Sequence, residues 1–263
     1  MTDNHLQFCV IGNGRVGTAL ASQSRARGIL CHLVGRTHGW QHLQTPAGAP
    51  IVVCTRNDDL PQVLAQLPAH RRDDVVIVQN GMIRPWLRDQ GLTAVTRGLL
   101  FFAVAKIGDA PQPGGMSPLT GPLAATVAQW WQALGLPVAC LADSDFRQLE
   151  LEKLLWNCCL GALCQAYTVT VGLAVTVHAA QLAQLVAELA PLAAAELEVP
   201  CDSAQRDRLV DNLRHYSLSI ADYRATVKEW RWRNGWFVDA ARQHGRHTPL
   251  HSQLLRAGGI DVA

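Results

Sequence analysis

Two groups of residues in this chain have the types and spacing that chemistry needs. In Glu152-Lys153-Leu154-Leu155-Trp156-Asn157, the lysine and the asparagine stand four apart and share one face of a helix. An ammonium and a carboxamide on one face can both address a small, oxygen-rich substrate. Lys153 can hydrogen-bond a carbonyl oxygen and protonate it as a hydride reaches the carbon. That oxygen turns negative in the transition state, so a cation aimed at it lowers the barrier. A lysine with the ordinary pKa of about 10.4 begins protonated and suits this role. The second group is Gly12-Asn13-Gly14-Arg15-Val16-Gly17, three glycines in the spacing G-x-G-x-x-G after the apolar run Phe8-Cys9-Val10-Ile11. Gly12 allows a tight turn, Gly14 lets a pyrophosphate approach the backbone, and Gly17 lets a helix pack close to its strand. The N–H groups at the start of that helix face the phosphates. A dinucleotide site is expected here.

The residue type after the second strand discriminates between the two nicotinamide cofactors. An acid there would bind the ribose 2′-hydroxyl of NAD, whereas a cation would pair with the 2′-phosphate of NADP. The segment reads Leu33-Val34-Gly35-Arg36-Thr37, with no acid nearby. Arg36 therefore points to NADP(H), and Arg56, just past the third strand, is a second cation within reach of the adenosine phosphates.

These groups need elements to hold them. Strands are expected at 7–11, 31–34, 51–54, 75–78, 98–104 and 137–141, and helices at 16–27, about 58–67 and 122–134. This alternation predicts an α/β Rossmann domain, a doubly wound parallel sheet, over residues 1–142. The Pro/Gly-rich stretch 108–122 reads as a loop within it. Strand signals then fade. One long helix is expected over 145–166, its Leu154 and Leu155 in the core. Others follow at 179–197, from Asp202 or Ser203 onward, at 236–244 and at 250–257. The second domain, 143–263, is expected to be all-helical and to carry the substrate chemistry.

Composition removes several classes. With 263 residues, 49% hydrophobic and 17% charged, the chain can bury two cores. A net charge of +2 gives no basis for nucleic acid as a partner. The polar start Met1-Thr2-Asp3-Asn4-His5 resembles no signal peptide, and the apolar runs are too interrupted to span a bilayer. No membrane partner and a cytoplasmic location are expected. The eight cysteines form no C-x-x-C pair and read as buried free thiols of a reducing compartment. His244, His247 and His251 read as a polar surface stretch, and no metal site is expected.

Four motifs in order, spread over nearly the whole chain, resemble the ketopantoate reductases (2-dehydropantoate 2-reductases). These are the glycine motif, Gln79-Asn80-Gly81, Lys153-Leu154-Leu155-Trp156-Asn157, and Glu229-Trp230-Arg231-Trp232-Arg233-Asn234-Gly235, with Thr248-Pro249 closing. The resemblance implies NADPH-dependent reduction of a 2-oxoacid, with a Rossmann domain followed by a helical one. Lys153 would be the general acid, and Asn157 would bind the substrate carboxylate or hydroxyl. Asn80 would hold the nicotinamide end and touch substrate, and Glu229 would lie near Lys153 and the cofactor ribose. The backbone of Ala103 would contact the cofactor, and Ser217, or Ser219 next to it, would bind substrate. The chain departs from the family as a short, divergent member. Gly161 stands where a second asparagine is common, and Arg231 replaces an aspartate. Trp230 and Trp232 could line an apolar or aromatic substrate pocket, but read first as packing between helices. Two other readings stay open: a hydroxyacid dehydrogenase working oxidatively, and a non-catalytic NADP-binding redox sensor. A homodimer through the helical domain is also left open.

Overall fold

The computed structural model describes residues 7–262. The polar start at 1–5 lies outside the described residues. Contact within the chain divides it into two units. The first runs to Gln79 and resumes over Trp86–Phe146; the second joins Asn80–Pro85 to everything from Arg147 onward.

The first unit is a seven-stranded sheet. Its strands are β1 (Phe8–Ile11), β2 (Cys31–Val34), β3 (Ile51–Val53), β4 (Val75–Ile77), β5 (Thr96–Gly98), β8 (Ser117–Thr120) and β9 (Val138–Cys140). They lie in the order β2-β1-β3-β4-β5-β8-β9. All neighbours are parallel except the antiparallel pair β5 and β8. β3 and β4 are buried at every position. This is why they read as unbroken β-branched runs rather than alternating ones. Helices α1 (Arg15–Ala26), α2 (Leu60–Gln66), α3 (Arg84–Asp89) and α4 (Ala124–Ala133) connect the strands.

Two expectations fail in this unit. The run 98–104 is not one strand. It breaks after β5, and β6 (Phe102–Ala103) pairs instead with β7 (Gln112–Pro113) in a separate ribbon. The stretch 108–122 is not a plain loop, since β8 lies within it and is buried throughout. Its sequence Ser-Pro-Leu-Thr has no strand periodicity, and Pro118 lacks the N–H a central strand normally donates.

The second unit is helical: α5 (Asp143–Leu155), α6 (Gly161–Tyr167), α7 (Val171–Val177), α8 (Ala179–Leu197), α9 (Ser203–Ser219), α10 (Asn234–Gln243) and α11 (Pro249–Ala257). Asp202 starts α9 through a reciprocal cap with Gln205. The helix expected over 145–166 is interrupted by a π-turn at Trp156–Leu160, which separates α5 from α6. Leu154 and Leu155 are core, as expected. Among the described residues no single helix is long and apolar enough to cross a membrane.

The histidines and cysteines divide by environment. His244 and His247 are exposed, but His251 is fully buried, its Nε2 3.1 Å from Asn234 Oδ1. It sits on the inward face of α11, between Leu250 and Leu254, which overrides the polar character of its neighbours. All eight cysteines are free; Cys9, Cys158, Cys159 and Cys164 are buried, but Cys140 is exposed. Burial pushes the Cys9 thiol up to about 11, and those of Cys54 and Cys158 up to about 12.

Candidate active site

In the first unit the glycine motif follows β1, and Cys54-Thr55-Arg56 follows β3. These are the strands on either side of the reversal in strand order, where α/β sheets bind ligands beyond the carboxyl ends of their strands. A groove of about 760 Å³ lies there, lined by Gly12, Asn13, Gly14, Arg36, Thr37 and Arg56 among others. Each glycine has its own reason. Gly12 has φ +112°, and a Cβ on it would lie 3.0 Å from the Cys54 carbonyl. A Cβ on Gly17 would lie 1.9 Å from Gly12 O, so only glycine lets α1 pack there. Gly14 has an ordinary φ of −71°, and a Cβ on it would meet nothing within 4 Å. The protein itself therefore makes no demand for glycine at position 14. A ligand approaching the first turn of α1 would, and α1 begins with no side-chain cap on its N–H groups. Arg36 is exposed at the tip of the turn closed by Gly35 and Gly39, and Asn13 Nδ2 donates to Thr37 Oγ1 on that turn at 3.4 Å. Arg15 reaches across to Ala105 O at 3.3 Å, and Val16 packs into the sheet core. The residues present fit a dinucleotide, and Arg36 and Arg56 add two cations to the lining of the groove.

Gln79 ends the first unit by donating from Nε2 to Val53 O and Thr55 O, at 2.9 and 3.0 Å. Asn80 and Gly81 then belong to the helical unit. Gly81 has φ +106°, and a Cβ on it would lie 2.6 Å from Trp232 O. The next N–H, of Met82, donates to the same carbonyl at 2.7 Å. The Gln-Asn-Gly motif is thus pinned to the Glu229–Gly235 motif by close backbone approach.

Lys153 lies in the last turn of α5, its Nζ 5.9 Å from the Trp156 ring centre and 5.6 Å from that of Tyr216. Its pKa is drawn down to about 8, first by burial and then by the charge of Arg233, with Glu152 opposing. Asn157 stands in the π-turn and donates from Nδ2 to Lys153 O at 2.7 Å. π-Turns of this kind recur at functional positions in helices. Glu229 adopts the left-handed conformation at φ +48° and pairs with Arg233 at 2.6 Å.

Ser217 is not placed to bind substrate. It is fully buried, its hydroxyl donating to Leu213 O at 2.7 Å and accepting from Trp156 Nε1 at 3.0 Å, so it fixes Trp156 instead. Ser219 is exposed and donates to Tyr216 O. Ala103 is exposed on the β6–β7 ribbon, and neither it nor Asn80 nor Glu229 is among the residues lining the groove.

Residues 145–258, which include Lys153, Asn157 and Glu229, match the family described as ketopantoate reductase PanE/ApbA C terminal. That match covers most of the helical unit, and the chain as a whole shares its fold with solved ketopantoate reductases. A dimeric ketopantoate reductase from Staphylococcus aureus has the same fold with a TM-score of 0.72 and 18% identity, over 96% of this chain and 98% of that one. A PanE/ApbA family ketopantoate reductase from Ralstonia eutropha JMP134 gives 0.72 and 18% over the same shares. A D-mandelate dehydrogenase with NADH and anilino(oxo)acetate gives 0.73 and 14%, over 96% and 97%. No curated protein matches in sequence.

Both departures from the resembled motifs have surroundings that account for them. At Gly161 a Cβ would lie 3.1 Å from Thr226 O, so backbone occupies the space a second asparagine would need. Arg231 is exposed, 5.2 Å over the Trp232 ring, where its charge stays in solvent. Trp232 is buried as expected of packing, whereas Trp230 is 38% exposed and lies against Gly235. Trp156, Tyr216 and Arg233 belong to the cluster and were not singled out in sequence. For Arg233 a signal existed, because a cation four residues after a glutamate is an ion-pair spacing.

Proposed function

We propose that this protein reduces a 2-oxoacid to the 2-hydroxyacid with NADPH, and that Lys153 donates the proton. The observation that carries the reading is Lys153 itself, a partly buried lysine brought to about pKa 8 beside the carboxamide of Asn157. A general acid works best when its pKa lies near the working pH. Gly12, Gly14 and the start of α1 would hold the pyrophosphate. Arg36 would take the 2′-phosphate, with Arg56 on the adenosine side, and Asn80 would reach the nicotinamide end. When bound, the reduced nicotinamide supplies a hydride to the carbonyl carbon. Lys153 Nζ hydrogen-bonds the carbonyl oxygen, stabilises its growing negative charge and transfers a proton to it. The neutral amine then recovers a proton from water. Asn157 would orient the substrate's oxygens.

The oxidative direction uses the same groups in reverse. Above about pH 8 the lysine is neutral and can accept the hydroxyl proton. The fold shared with D-mandelate dehydrogenase favours this as the second reading. Following the dimeric neighbour, we also extend a homodimer to this chain, with the exposed Leu173 and Val177 of α7 as its apolar contact. A panel of aliphatic and aromatic 2-oxoacids, run with NADPH and NADH, tests the reading. Turnover on at least one acid with NADPH preferred is expected. Tight cofactor binding without turnover on any acid overturns it in favour of the redox sensor.

A further inference from the structure

Arg233 occupies a position for which neither the lysine chemistry nor the motifs supply a task. Its side chain is 12% exposed, and its Nη2 lies 2.6 Å from the Glu229 carboxylate. Its Nε is buried and has no hydrogen-bond partner among the described residues. A guanidinium is a planar fork of five donors, and one edge of it matches both oxygens of a carboxylate. Glu229 holds Nη2, and on the same edge the Nε–H is left open. A buried N–H left unbonded is costly, so such a group marks either strain or a missing ligand.

The backbone around Arg233 is held on both sides. Trp232 O accepts the Met82 N–H at 2.7 Å, and Asn234 is buried with its Oδ1 on His251. The side chain therefore starts from a fixed point and is held by Glu229. Met82 and Phe237, whose N–H groups bond the Trp232 and Arg233 carbonyls, share one buried cluster with Leu154, Trp156 and Cys158, and the charge of Arg233 acts on Lys153 and Cys158 there.

We propose that Arg233 binds the carboxylate of the substrate through its open Nε–H and so presents the adjacent carbonyl to Lys153. The ligand class is a small 2-oxo-carboxylate. This rests on the reductase reading for its catalytic consequence, but the binding itself does not. Arg233 is a specificity-determining residue here, and Glu229 positions it.

The first measurement compares kcat/KM for the best 2-oxoacid with that for its methyl ester, in the wild type and in Arg233→Gln. Loss of a charge-assisted pair is expected to lower the value for the acid roughly 10- to 100-fold, mainly through KM. The ester should change little, so the preference for acid over ester collapses. A parallel fall for both substrates, or no fall for either, overturns the proposal, because a merely structural arginine cannot distinguish them. The second measurement titrates oxamate into the NADPH-loaded protein by tryptophan fluorescence. Oxamate binding that Arg233→Gln abolishes supports the assignment even where no acid is turned over, and the reductase reading then fails alone. Turnover with oxamate affinity unchanged in the variant overturns the assignment alone, as does a wild type that binds no oxamate. Should Arg233→Gln not fold, Arg233→Lys keeps the charge without the fork. A reduced acid preference is again expected, and an unchanged one overturns the proposal.

Discussion

At Lys153 two costs combine: burial penalises the ammonium, and Arg233 repels it, bringing the pKa to about 8. The sign of the pH dependence follows. Reduction needs the protonated lysine, so kcat/KM for the oxoacid should be level below about pH 8 and fall above it. Oxidation of the hydroxyacid should rise through the same pH. A pH profile in both directions checks this, and a reductive limb first falling near the ordinary lysine value overturns the placement. Lys153→Met should lower turnover by orders of magnitude while NADPH binding persists. The same substitution should stabilise the fold, because below about pH 8 the native state carries a charge it disfavours. The gain is expected at roughly 1–3 kcal/mol in urea unfolding. Opposite signs in activity and stability distinguish a catalytic lysine from a structural one.

Among the elements, the glycine turn separates two demands that sequence alone merges. Gly17 is required by the chain, since its Cβ would collide with Gly12 O, whereas a Cβ at Gly14 would meet only open space. Gly14→Ala should therefore keep the wild-type Tm and weaken NADPH binding at least about tenfold, as a methyl group stands where a pyrophosphate would lie. Gly17→Ala should lower Tm as well. Isothermal titration beside thermal unfolding checks the pair; a Gly14→Ala protein that binds NADPH normally removes the phosphate from that turn. The turn was legible because each glycine answers a local steric rule. So were β3 and β4, whose burial on both faces writes itself as Ile-Val-Val and Val-Val-Ile. What was not legible depends on partners distant in sequence. β8 is a strand because β5 and β9 flank it, against its own proline. The π-turn at Trp156–Leu160 has no periodic signature, and it is what turns the Asn157 amide onto Lys153 O. The hydroxyl of Ser217 is taken by Trp156, 61 positions away in the sequence, a pairing that no local pattern announces.

Over the whole molecule, stability against acid rests partly on a residue that sequence placed at the surface. His251 lies in the core of the helical unit, and burial pushes its pKa down to about 4. The N–H groups of Leu250 and His251, at the start of α11, donate to the Glu188 carboxylate of α8 at 3.1 and 3.0 Å, which ties the histidine's backbone to the longest helix of the unit. In the unfolded chain the imidazole takes up a proton near its ordinary value of about 6.5. Between there and about 4 the unfolded state binds more protons than the folded one, so stability falls as pH falls. It is fully present above about 6.5, and the loss by pH 4 is roughly 3 kcal/mol. Urea unfolding of the wild type between pH 4 and 7 should show this slope beside that of the carboxylates. In His251→Gln, whose amide nitrogen can still approach Asn234, the histidine share of the slope should vanish while stability at pH 7 drops only modestly. If wild type and variant lose stability in parallel with acid, the imidazole is not the buried neutral group described here, and the inward face of α11 must be placed differently.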